Sequence, residues 1–122
     1  MRLDFNTHFM EIKVSSESNR DYYLDYLLSE HVLRRMDQRA ITKEMLKLSL
    51  LYGIAFFKQG LTFYCTRSKD LPNTIPYDLS ERMNNMILVV DDNSSLILTA
   101  YRSTKGEIHI RKKYKERWKY AA

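Results

Sequence analysis

The sequence predicts an α+β fold, with N-terminal helices packed on one face of a four- or five-stranded antiparallel sheet. Three observations carry this expectation. Apolar residues recur at helical spacing up to Gly53, and beyond it the period changes from 3.6 to 2. Turn residues divide the second half into short β-rich runs, with "KQG" between "IAFF" and "LTFYC" and "DDNS" between "NMILVV" and "SLILTAYR". The length of 122 residues, 44% of them hydrophobic, suits a single globular unit with one modest core.

Taken in order, the chain begins with "FMEIKV", a strand or an extended arm, followed by a polar break, "SSESN", at Ser15 to Asn19. From Asp21 to Leu28, "DYYLDYLL" places Tyr23, Leu24, Leu27 and Leu28 at helical spacing, which predicts a first helix. Residues 1–28 thus read as an N-terminal arm and helix ahead of a domain spanning 29–122. Ser29 has the composition of an N-cap for a helix from Glu30 to Arg39, with one long helix through Ser29 as the alternative. Thr42 reads as the next N-cap, with Glu44 in the first turn and Gly53 as the stop for Lys43 to Tyr52.

Gly60 is placed to supply the positive φ of a hairpin from Ile54 to Cys65, and a second hairpin is expected from Met86 to Arg102. The stretch between them holds both prolines and a helical turn at Leu79 to Met83. "EIHI", after Gly106, reads as a last edge strand. Strict alternation along "SLILTAYR" sets Leu96, Leu98 and Ala100 toward the core and Ile97, Thr99 and Tyr101 on the other face.

Composition excludes several classes. No apolar run reaches about 18 residues, and "MRLDFNTHF" has no basic leader before an apolar core, so the expectation is a cytoplasmic protein with no membrane role. Cys65 is the only cysteine, which leaves no internal disulfide and no cysteine-rich zinc site; within "LTFYC" it reads as a small buried hydrophobe. His8, His31 and His109 lack metal-ligand spacing, Asp91 and Asp92 sit in a turn, and the glycines form no phosphate loop, so neither metal nor cofactor is expected.

The net charge of +5 is concentrated between Lys105 and Lys119, where cations interleave with His109, Tyr114 and Trp118. Clustered cations gain affinity by releasing counterions from nucleic acid, so Arg111, Lys112 and Lys113 are candidate phosphate contacts; a solvated basic tail is the alternative.

The stretch "HVLRRMDQRAIT" carries the chemistry. His31, Arg35 and Arg39 drift by about 40° per step and form one helical surface, while Leu33 and Met36 lie on sides that can face the core. If this helix packs beside the sheet edge, His31 and Arg35 converge with Thr99 and Tyr101. Those residue types suit metal-free cleavage of RNA, in which the 2′-hydroxyl attacks its own phosphodiester. Histidine holds or releases a proton near neutrality, arginine stabilises charge on phosphorus, threonine positions an oxygen, and tyrosine donates a hydrogen bond or stacks.

The order His31-x-x-x-Arg35-Met36-x-x-Arg39-x-Ile41, an apolar helix ending at Gly53, and a strand with Thr99-x-Tyr101-Arg102 resembles a family of small bacterial domains. That family is placed in the barnase, EndoU, colicin and RelE superfamily of ribonucleases and toxins. The resemblance runs from Ser29 to Lys113, leaves out residues 1–28, and implies a RelE/barnase-like fold. It further implies a metal-independent endoribonuclease of the toxin–antitoxin kind, yielding 2′,3′-cyclic phosphate ends and paired with an antitoxin or immunity-type protein. The implied catalytic positions are His31, Arg35, Thr99 and Tyr101. Independently of the resemblance, the cations Arg39 and Arg102 join Arg111, Lys112 and Lys113 as candidate RNA contacts.

Two other readings use the same residues. The fold can serve as a non-catalytic RNA-binding or protein-interaction module. Alternatively, helix, "AIT" and helix form a helix-turn-helix for DNA, whose recognition helix would be the mostly apolar "KEMLKLSLLYG".

Overall fold

The structure, a computed structural model, describes residues 8–15 and 21–104. It is α+β, with three α-helices and a six-stranded mixed sheet. In chain order the elements are β1 (Phe9–Ser15), β2 (Asp21–Leu28), α1 (Glu30–Arg39), α2 (Lys43–Tyr52), β3 (Ile54–Lys58) and β4 (Leu61–Thr66). A short 3-10 turn (Ser68–Asp70), α3 (Tyr77–Met83), β5 (Met86–Asp91) and β6 (Leu96–Arg102) follow. The strand order is β1-β2-β6-β5-β4-β3, antiparallel throughout except for the parallel pair β2 and β6.

This corrects three expectations. The helices do not precede the sheet but lie between strands, and the sheet is neither purely antiparallel nor limited to five strands. Asp21 to Leu28 is a strand rather than a helix, paired with β1 from Phe9↔Leu27 to Ser15↔Asp21. Apolar and aromatic residues are so dense in "DYYLDYLL" that both periods fit, and the tyrosines favour the pleated surface once β1 is available to pair. Residues 105–122, including the expected strand "EIHI" and Arg111, Lys112 and Lys113, lie outside the described residues.

β2 touches β6 through only Leu27↔Leu96 and Leu28↔Ile97, so most of the β1–β2 ribbon runs on past β6. The ribbon packs into the same core as the helices. Met10 and Ile12 of β1 are buried with Val32, Met36, Met45, Leu46, Leu88 and Ile97. Lys43 Nζ, at the start of α2, donates to the Phe9 carbonyl at 3.3 Å. Tyr26 and Tyr64 both pack half-buried against the margin of this core.

β5 is buried from Met86 to Val90, because it lies inside the sheet and both its faces are covered. Met86, Leu88 and Val90 enter the main core, while Ile87 and Val89 join Cys65 in a second cluster on the opposite face. Phe56, Phe63, Leu98 and Tyr101 pack around that cluster.

Local chemistry fixes the helix ends. The Ser29 hydroxyl accepts from Val32 N at 3.0 Å and starts α1; Thr42 Oγ1 accepts from Met45 N at 3.2 Å and starts α2. Ala40 closes α1 in the left-handed region at φ 52°, with Ile41 N bonded to the Met36 carbonyl at 2.9 Å. Gln59 and Gly60 both take positive φ in the two-residue turn from β3 to β4, as the twist of a tight hairpin requires.

Candidate active site

The chain reverses direction at Ser29, and that residue joins the two halves of the candidate site. Its N–H donates to the Ile97 carbonyl at 3.1 Å and its hydroxyl donates to the Leu98 carbonyl at 2.9 Å, while the same oxygen caps α1. The first turn of α1 is therefore fastened to β6 where β2 stops pairing with it. The Leu98 carbonyl belongs to a β-bulge: β5 and β6 pair as Val89↔Thr99 and then Val90↔Ile97, leaving Leu98 as an extra residue.

The bulge breaks the strict alternation expected for this strand at Ile97 and Leu98, while Thr99, Ala100 and Tyr101 face as the alternation has them. Ile97 and Ala100 are both in the main core, whereas Leu98 and Tyr101 both pack on the second cluster. Thr99 stands opposite Val89 and Tyr101 opposite Ile87, so the two share the face away from the main core. The inserted residue reverses the expected facing of Ile97 and Leu98 and leaves Thr99 and Tyr101 together on one face.

Thr99 Oγ1 lies 3.2 Å from His31 Nε2. His31 is exposed in the first turn of α1 and Thr99 is half-buried, so the contact sits at a solvent-facing seam. When Nε2–H donates to Thr99, the lone pair of Nδ1 is left available for a proton; in the other tautomer the threonine donates. Tyr101, two residues along the strand, is about 7 Å further on. Burial pushes the Tyr101 phenol above its ordinary value, and nearby Cys65 adds to the shift. It is therefore a neutral hydrogen-bond donor at physiological pH.

Arg35 is half-buried one turn after His31. His31, Arg34, Arg35 and Gln38 together line a depression of about 260 Å³. Arg34 and Gln38 stand outside the four positions to which residue type points, and the i, i+3, i+4, i+7 spacing from His31 is the sequence signal that sets them on the same helix face. No acidic side chain is among the residues lining the depression.

Arg39 and Arg102 lie elsewhere. Arg39 is two turns along α1 from His31, about 12 Å at 1.5 Å per residue. Arg102 stands opposite Met86, on the main-core side of β6 rather than with Tyr101, and donates to the Arg82 carbonyl at 2.9 Å and the Arg39 carbonyl at 3.3 Å. Arg82, which no sequence pattern singled out, donates to the Ala40 carbonyl at 2.6 Å.

Among the described residues, no group of His, Cys, Asp and Glu is arranged to hold a metal ion, and no helix is long and apolar enough to cross a membrane. Met45, Leu46, Leu48 and Ser49 of α2 are buried in the core or against it, which leaves that helix little surface for a DNA groove. Comparison with protein-family models, with curated proteins and with solved structures finds no match to this chain.

Proposed function

We propose that the chain is a metal-independent endoribonuclease of the RelE/barnase type, belonging to a toxin–antitoxin or related system. The observation that carries this reading is the contact of His31 Nε2 with Thr99 Oγ1 at the edge of a depression lined by Arg34 and Arg35. A proton-transferring group is thereby held in one orientation beside cations suited to a phosphodiester.

In the reaction so assigned, His31 takes the proton of the 2′-hydroxyl as that oxygen attacks phosphorus, and Thr99 holds the imidazole in line. Arg35 supplies charge-assisted donors to the non-bridging oxygens as negative charge builds on phosphorus. Tyr101 keeps its proton and donates a hydrogen bond to the phosphate or the departing 5′-oxygen. The P–O5′ bond breaks as the departing 5′-oxygen takes a proton from water, leaving a 2′,3′-cyclic phosphate and a 5′-hydroxyl, and protonated His31 gives its proton up to solvent.

The test is incubation of purified protein with end-labelled RNA in EDTA, followed by analysis of the new termini. Cyclic phosphate ends that vanish with His31→Ala support the reading. RNA bound but left whole by the parent protein replaces it with a binding module on the same fold.

A further inference from the structure

Three arginines from separate elements meet at the C-terminal end of α1. Arg82 of α3 is anchored on the Ala40 carbonyl, and Arg102 of β6 on the carbonyls of Arg39 and Arg82. Arg39 ends α1 itself, and its side chain is exposed and makes no hydrogen bond among the described residues. The side chains are close enough to repel: the Arg102 guanidinium is held below its ordinary value, first by burial and then by the charges of Arg82 and Arg39.

Like charges are usually brought together beside a carboxylate that neutralises them. Here the ion pairs among the described residues are Lys13 with Asp21 and Arg67 with Asp70, and none involves this cluster. Asp37 lines a neighbouring depression with Arg82 but is not within ion-pairing distance of it. The carbonyl anchors occupy one N–H of Arg82 and two of Arg102, out of the five each guanidinium carries. The remaining donors are held in place by backbone, so an oxyanion arriving there orders little that is not already ordered.

We propose that Arg39, Arg82 and Arg102 form a phosphate-binding subsite, separate from the His31 depression, that takes a backbone phosphate of the RNA strand flanking the scissile bond. The spacing fits a strand lying along α1. Arg35 and Arg39 are one turn apart, about 6 Å, and His31 and Arg39 about 12 Å, within the span of a short oligonucleotide. The assignment of RNA as the ligand rests on the ribonuclease reading; the anion site itself rests only on the arginine geometry.

Arg39→Gln is the decisive variant, because its side chain anchors nothing and its loss leaves the carbonyl contacts intact. Two probes are titrated into parent, Arg39→Gln and His31→Ala proteins by NMR: inorganic phosphate, and a 2′-O-methyl oligonucleotide that cannot be cleaved. Arg39→Gln is expected to weaken both by about tenfold, the scale of one charge-assisted hydrogen bond, and to flatten the oligonucleotide salt slope by about 0.7. His31→Ala should leave phosphate binding at this cluster unchanged. If Arg39→Gln binds both probes like the parent, or phosphate leaves the resonances of these three arginines unmoved, the subsite does not exist. Loss of phosphate binding with oligonucleotide binding intact overturns the RNA assignment and reassigns the cluster to free phosphate or a phosphomonoester. The cleavage assay in EDTA is independent of all these outcomes, so an inactive parent with Arg39-dependent oligonucleotide binding rejects the nuclease and keeps the subsite.

Discussion

His31 and Thr99 are 68 residues apart in the chain and 3.2 Å apart in the fold. His31→Ala is expected to lower RNA cleavage by about 100-fold or more with binding nearly intact, the usual scale for losing a general acid or base. Thr99→Val keeps the shape and removes the hydroxyl; about a tenfold loss with an altered pH–rate profile is expected. Arg35→Ala should reduce both cleavage and binding. Tyr101→Phe separates hydrogen bonding from stacking, because it keeps the ring. Single-turnover kinetics and filter binding distinguish these patterns, and parent-like behaviour in every variant rejects the site.

Ser29→Ala removes a helix cap and the tether from α1 to the bulge in one substitution. A cap alone contributes about 1 kcal/mol, and the lost bond to the Leu98 carbonyl raises the expected destabilisation to about 2 kcal/mol. Urea unfolding measures it. Cleavage should fall further than stability accounts for, since the start of the helix bearing His31 is no longer fixed to the strand bearing Thr99.

Ala40→Gly should stabilise the protein. A left-handed φ of 52° costs an L-residue about 1 kcal/mol that glycine does not incur, although the added freedom of the unfolded chain offsets part of the gain. A rise in the urea midpoint with an unchanged slope is the expected result, and a fall would mean that the Ala40 methyl group packs usefully.

Alkali should unfold the protein through Tyr64. Burial, then the neighbouring Tyr26 and Asp92, push its phenol from the ordinary 10 up to about 12. The neutral hydroxyl is the form the fold favours, so this stabilisation is complete below pH 10 and is lost as pH rises through about 12. Circular dichroism across that window should show Tyr64→Phe losing less stability than the parent.

What was legible in the sequence was what neighbouring residues decide. Ser29 and Thr42 cap their helices through bonds to residues three positions on, and Gly60 occupies a tight turn as its position implied. Gly53 does follow α2, but at φ −69° it needs no left-handed conformation; a Cβ there would sit 2.5 Å from the Ser49 carbonyl oxygen. Decisions made by distant partners were not legible. Whether Asp21 to Leu28 coils or extends depends on β1 and β6, and nothing in "SLILTAYR" marks Leu98 as an inserted residue, since no glycine or proline stands there. His31, Arg35, Thr99 and Tyr101 could be named by residue type, whereas Arg82 came from a short helix in a long connection with no pattern to flag it.

The position of β6 also has a temporal meaning. It is the last strand of the described chain, yet it lies between β2 and β5 near the middle of the sheet. During synthesis the β1–β2 ribbon, the helices and β3 to β5 leave the ribosome before the strand that joins them, with Val32 and Leu28 awaiting the partner that covers them. Closure demands contacts distant in sequence and is correspondingly slow. The catalytic pair assigned to His31 and Thr99 cannot exist on a partial chain, so any activity that depends on it begins only when nearly all of the described polypeptide has been made.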